Sequence, residues 1–297
     1  MINIPQQAAQ ALLDAARGGE SLIPPYIPTF YWNNGNPKLK QAHPVVYYGG
    51  WCTDTDRFDT ILNGFGKPYP PVLQEIEMVS SNGKEYTVYG SRSLFIMPIK
   101  QNWVWRVQDV EGDKWTYSKE FVKGSRSVLW WVAYLADRIG EAGAYEYIPW
   151  GTVLLKATGY QSTFLRDAVK AWETYTDPVR KEMTGKLRKD GKWNSSETIS
   201  ASWFWMPVGS FGDIKTQMVG GGEQSLVTPI SPYVPEGKLT EEILSSLYVG
   251  EEVLNDAVKA LDEVKPWIDS FDNVVEEEVS GTVESGESNP EDESIPW

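Results

Sequence analysis

Lys100-Gln101-Asn102-Trp103-Val104-Trp105-Arg106 sets two tryptophans two residues apart between basic residues. Side chains of an extended strand alternate between its faces, so this spacing predicts a β-strand with both indoles on one face. Trp115-Thr116-Tyr117-Ser118-Lys119 repeats the arrangement, and Trp203-Phe204-Trp205 repeats it again. Ser125-Arg126-Ser127-Val128-Leu129-Trp130-Trp131 also reads as strand, with its indoles on opposite faces. Working outward, strands are expected over 44–48, 72–79, 86–89, 94–100, 102–109, 115–119, 127–135, 152–157 and 198–208. Gly49-Gly50, Asn82-Gly83, Glu111-Gly112-Asp113 and Gly151 supply the turns, and Asn82-Gly83 between apolar runs signals a hairpin.

Helices are expected at three places. Residues 5–17 carry Ala8, Leu12, Ala15 and Ala16 on one side before Gly18-Gly19, the pattern of a docking arm. A second helix opens at Ser162 or Thr163, with Phe164, Leu165, Ala168, Val169 and Trp172 as its apolar stripe and Pro178 as its interruption. A third is capped by Thr240, breaks at Gly250, and resumes with Val253, Leu254, Ala257, Val258, Leu261 and Val264 before Pro266. Residues 209–235, rich in glycine and proline, read as a long loop.

The expected fold is therefore mainly β with a few helices, a β-barrel with an OB-fold-like core and insertions; a β-sandwich fits nearly as well. Its expected division is an arm (1–23), an OB-like domain (24–235), a helical segment (236–271) and a disordered acidic tail (272–297).

Several chemistries are disfavoured. With one cysteine, Cys52, and one histidine, His43, among 297 residues, neither an internal disulfide nor a Cys/His zinc site can be built. A histidine-dependent nucleophile would have to use His43, which precedes Pro44 in a turn-like context. Asp54, Asp56 and Asp59 lack the glycine and distal glutamate of a calcium loop, and Gly64-Phe65-Gly66 and Gly220-Gly221-Gly222 lack a phosphate-loop lysine. No enzymatic activity, cofactor or metal is expected. Neither a transmembrane run nor a secretion signal is read, so no membrane association and a cytoplasmic location are expected.

Charge divides the chain. The net charge is −14, yet residues 1–235 carry 24 basic and 23 acidic side chains. Residues 272–297 carry nine acidic side chains and no lysine or arginine. A nearly neutral body has room for a basic groove that the whole-chain charge conceals. The tail has too little apolar area to offset its ordering entropy, but it carries Glu291-Asp292-Glu293-Ser294-Ile295-Pro296-Trp297.

That motif resembles the C-terminal tip of bacterial single-stranded DNA-binding proteins, and phage replication proteins of the same function also have acidic tails with a terminal aromatic. The resemblance covers the last six or seven residues, and Trp297 replaces the bacterial phenylalanine. It implies that Ile295, Pro296 and Trp297 enter an apolar pocket on a replication, recombination or repair partner while Asp292 and Glu293 meet basic residues around it. It also implies an origin in a phage or a replication system.

The body adds a second line. An unpaired strand offers flat bases and one phosphate per nucleotide, which calls for aromatic platforms beside lysine and arginine. The expected DNA-binding residues are Lys38, Lys40, Lys100, Trp103, Trp105, Arg106, Trp115, Tyr117, Lys119, Arg126, Trp130, Trp203 and Trp205. Roughly half of the rings are expected in the core instead. The function expected is coating of single-stranded DNA, with an oligomer possible. A strand-annealing recombination protein and a carbohydrate-binding β module are the rivals.

Overall fold

In a computed structural model of the chain, the described residues are 27–36, 43–54, 73–79, 85–108, 115–140, 145–186, 199–211, 215–219, 223–234 and 238–278. The expected arm, Lys38, Lys40, the Glu111-Gly112-Asp113 turn, Asp56, Asp59 and residues 279–297 of the expected tail lie outside them, as does the side chain of Trp115; residues 272–278, expected as disordered tail, instead continue the last helix.

The fold is mainly β, with four helices among the described residues. In chain order they are β1 (Thr29–Asn34), α1 (Pro44–Tyr48), β2 (Gly49–Asp54), β3 (Gln74–Val79), β4 (Glu85–Ser91), β5 (Ser93–Gln108), β6 (Trp115–Ser118), β7 (Arg126–Ile139), β8 (Glu146–Thr158) and α2 (Tyr160–Lys186). A 3-10 turn (Ala201–Trp203), β9 (Met206–Gly209), β10 (Lys215–Val219), β11 (Glu223–Val227), β12 (Ser231–Pro232), α3 (Glu241–Ser246) and α4 (Glu251–Glu278) follow. No helix among the described residues is long and apolar enough to cross a membrane.

One ten-stranded sheet dominates, in the order β12-β9-β5-β7-β8-β1-β2-β4-β3, with β6 on β5; β10 and β11 form a separate hairpin. This is larger than a five-stranded barrel, and its hydrogen-bonded order has two ends. The sheet nevertheless curls. Trp51 Nε1 on β2 donates to Val208 O on β9 at 3.2 Å, although four strands separate them in the sheet order. Arg92 alone joins β4 to β5, so the chain itself bridges that seam. Gly50 and Gly209 line it: a Cβ on Gly209 would collide with the Arg92 and Ser93 backbone, and one on Gly50 would sit 2.5 Å from Ser91 O.

β7 shows why the middle of the sheet is so apolar. Leu129, Trp131, Ala133 and Leu135 join the core around α2, through Leu165, Ala168, Val169 and Trp172. On the other face, Val128, Trp130 and Val132 meet Val264, Trp267 and Ile268 of α4. Tyr134 and Ala136 meet Val253 and Ala257 nearer the start of that helix. A strand covered on both faces reads as a continuous apolar run. The helical segment thus shares a core with the sheet.

Several local expectations need correction. Residues 44–48 form α1 rather than a strand, because Pro44 suits the first helical turn and His43 Nδ1 accepts from Val45 N at 3.2 Å. The strands expected at 94–100 and 102–109 are one strand, β5, whose register shifts between Pro98 and Lys100, where a residue without an N–H is tolerated. Gly151 lies inside β8 beside another register shift, not in a turn. Pro178 and Pro266 are exposed and interrupt neither α2 nor α4; the residues one turn before them, Thr174 and Asp262, are exposed too, and on such a face water can replace the hydrogen bond that a proline removes. Residues 198–208 contain a 3-10 turn before the short β9, and the expected loop over 209–235 holds β10, β11 and β12. Val258, assigned to the apolar stripe, is 61% exposed.

Candidate nucleic-acid interface

Trp103 and Trp105 do share a face of β5. Their cross-strand partners are Leu129 and Ser127 on β7, and Ser127 Oγ bonds to Ser162 Oγ at the start of α2. This is the α2 side of the sheet. Both rings are half-buried. Trp103 packs against the core with the Arg166 guanidinium 5.0 Å from its ring centroid, and Trp105 meets Phe121 edge-on at 5.0 Å. A guanidinium over an indole face is attracted by the ring quadrupole and fixes its plane.

Phe121 is 56% exposed, on the β6–β7 connection. Its presentation follows from that turn. Val122 N donates to Ser125 Oγ at 3.3 Å, Ser125 N donates to Val122 O at 2.8 Å, and Gly124 takes φ 87°. The positive φ suits glycine, which has no Cβ to clash. Lys123 stands exposed in the same turn.

Positive charge collects at the same end of the strands, mostly on the α4 side. Arg106 lies opposite Tyr117 on β6 and opposite Arg126 on β7. It is hydrogen-bonded to the Tyr117 hydroxyl, and burial holds its pKa below the ordinary arginine value despite that contact. Burial also pushes the Tyr117 hydroxyl up, with Arg106 opposing. Lys119 Nζ donates to Asn102 Oδ1 at 3.0 Å, and Arg126 is exposed.

The rim therefore gathers Trp103, Trp105, Arg106, Tyr117, Lys119 and Arg126 from the expected set, with the Trp115 backbone beside Gln108. Lys100 is exposed on β5 but six residues from Arg106, about 20 Å at the usual strand rise. The two aromatic pairs lie on opposite faces, because Trp105 pairs with Ser118 while Arg106 pairs with Tyr117. Trp105 and Tyr117 accordingly cannot form one flat platform; Trp103 and Trp105 face the α2 side, and Arg106 and Tyr117 the α4 side.

Three tryptophans require correction. Trp130 is 1% exposed, between Lys156, 4.7 Å from its centroid, and Trp267, edge-on at 6.1 Å. Trp205 is 1% exposed and packs with Phe95 and Tyr134. Trp203 is 39% exposed, but in the 3-10 turn it does not share a strand face with Trp205. Phe95 marks their end of β5, ten residues or about 33 Å from Trp105. Sequence reading missed Phe121 and Arg166 as site residues. Phe121-Val122 between Lys119 and Lys123-Gly124 was the available signal for the first; only the fold brings Arg166 to Trp103.

Other polar sites have structural work. His43 caps α1 with Nδ1, and its Nε2 is 2.7 Å from Gln74 Oε1. A polar pocket of about 410 Å³ beside Glu173, Asp177 and Ser200 contains Arg180, which donates to Thr176 Oγ1, Ile199 O and Glu173 O. No metal-ligating cluster occurs among the described residues. No family model, curated protein or solved structure matches the chain.

Proposed function

We propose that the chain is a non-enzymatic single-stranded DNA-binding protein that grips unpaired DNA across the β5–β6–β7 rim. The observation that carries this reading is the meeting, at one strand end, of Trp105 and exposed Phe121 on one side with Arg106, Lys119 and Arg126 on the other. Bases stack on the rings, and the backbone turns over the edge strand β6 toward the cations. The curled sheet takes the part expected of an OB-type barrel. The acidic segment 272–297, through Asp292, Glu293, Ile295, Pro296 and Trp297, recruits replication, recombination or repair proteins.

The test is a tryptophan-fluorescence titration with oligo-dT, matched duplex and matched RNA. Quenching by the single strand is expected, with affinity falling as salt rises. Arg126→Ala should reduce the slope of log K against log salt by about 0.7, the contribution of one phosphate contact on a single strand. Unchanged fluorescence and no mobility shift at low salt would reject the reading.

A further inference from the structure

A second group of exposed rings lies at the seam where the curled sheet comes round on itself, assembled from four separate stretches of chain. Tyr47 and Tyr48 of α1 meet edge-on at 4.5 Å, and the Arg92 guanidinium lies 4.3 Å from the Tyr48 ring centroid. Arg92 Nε donates to Ser210 Oγ at 3.2 Å and its Nη2 to Ser210 O at 2.9 Å. The next residue, Phe211, packs on Tyr233 at 5.2 Å, and Tyr233 N is held by Pro207 O at 2.9 Å. Tyr48, Phe211 and Tyr233 are 40%, 41% and 49% exposed. Folding normally covers rings of this size; here ordered backbone holds three of them outward around one fixed cation.

We propose that this seam is a second stacking subsite for the same unpaired DNA strand, an inference that rests on the single-strand reading above. Tyr48 takes one base, Phe211 and Tyr233 take another, and the outer edge of Arg92 takes the phosphate between them. Guanidinium has five N–H donors in one plane, and Ser210 engages Nε and Nη2, which leaves Nη1 directed away from the serine. Among the described residues Arg92 makes no ion pair, and its guanidinium hydrogen bonds are those to Ser210. An apolar protein surface laid on these rings would bury that charge without a counter-ion, which is costly. A neutral glycan would stack on the rings without using it. The base–phosphate–base alternation of a single strand uses both.

The seam and the rim sit near opposite ends of β5, since Arg92 precedes its first residue and Trp105 stands near its last. Short oligonucleotides should therefore fill the two subsites separately, while one long strand spans both. The experiment compares wild type with the double variant Tyr48→Ala/Phe211→Ala, using oligo-dT of about 6 and about 30 nucleotides. Calorimetric stoichiometry for the short oligonucleotide should fall from two to one, and the long one should bind at least about fivefold more weakly. Should the alanine variant melt at lower temperature, Tyr48→Leu/Phe211→Leu keeps apolar bulk and removes the flat rings. Unchanged stoichiometry and long-strand affinity in a folded variant, with wild type still binding, would overturn the second subsite alone. Failure of wild type to bind either oligonucleotide would instead remove the single-strand reading. Loss of a protein or glycan ligand, with DNA binding intact, would overturn the subsite in favour of that ligand.

Discussion

Replacing Trp105 by alanine tests whether its indole binds DNA, as proposed, or serves packing like most of the others. Trp105 is half-buried, its edge contact is exposed Phe121, and it lies at the end of β5 rather than between the helices. Stacking one base on an aromatic ring contributes about 1–3 kcal/mol. At about 1.4 kcal/mol per tenfold, Trp105→Ala should weaken DNA binding by about 5- to 150-fold, and loss of Phe121's support moves the value toward the upper end. Its stability cost should stay below the roughly 3–5 kcal/mol typical of removing a fully buried tryptophan. Trp130→Ala should behave in the opposite way. That ring is 1% exposed against Trp267, so its loss should bring the full core penalty and leave the affinity of the folded fraction nearly unchanged. Polarisation with labelled oligo-dT gives the affinities, and denaturant melts give the stabilities. Trp105→Phe, which keeps a flat ring, should recover much of the binding. If Trp105→Ala binds within twofold of wild type, or Trp105→Phe is no better than alanine, the rim is not the stacking platform.

Gly209→Ala should destabilise the fold by about 1–3 kcal/mol in chemical denaturation, because its Cβ would lie 2.7 Å from Ser93 Cα; wild-type stability would show that the seam has slack. Arg180→Met should cost about 2 kcal/mol by leaving Ile199 O and Thr176 Oγ1 without their donor, and unaltered melting would refute the clamp. Burial raises the pKa of Tyr117, Tyr134, Tyr147, Tyr160 and Tyr175 above their unfolded value of about 10. Their contribution is therefore complete below about pH 10 and is lost as pH rises through the folded values, so melts should decline steeply there; a flat profile would contradict it. Deleting residues 291–297 should preserve or tighten DNA affinity and abolish a partner contact, whereas weaker DNA binding would reverse the role given to that segment.

Strands were legible wherever alternation or a continuous apolar run marked them, and β7 follows from its sequence almost directly. The helix stripes of α2 and α4 were equally plain because residues three and four apart share a face. Prolines misled, since a proline ends an element only when its missing hydrogen bond cannot be replaced; exposed Pro178 and Pro266, and Pro98 at a bulge, all permit continuation. In the candidate site, the Trp103/Trp105 pair was visible from period two alone. Whether an indole is covered depends on the helices above the strand, and those packings are long-range. Hence Trp130 and Trp205 looked like Trp105 in sequence. The seam rings were invisible for the same reason, because α1, the β4–β5 link, the end of β9 and the residues after β12 meet only when the sheet curls.

The sheet's double cover decides where a ligand can go. With α2 on one face and α4 on the other, the central rings of β7 are sealed: Trp130 and Trp131 are 1% and 8% exposed. Aromatic richness in this chain is thus mostly a packing device, and composition alone overstates the binding surface. Besides other exposed rings such as Trp203 and Tyr248, two groups of rings emerge where strands outrun their covering helices, the Trp105–Phe121 rim and the Tyr48–Phe211 seam. In each place a guanidinium lies over an aromatic face, Arg166 on Trp103 and Arg92 on Tyr48, at 5.0 and 4.3 Å. Those cations hold the rings in a fixed plane before any ligand arrives, so stacking requires little further ordering of the protein. A strand bound in this way crosses edges rather than lying across a face, and its affinity should therefore respond to rim substitutions while ignoring the tryptophans at the centre.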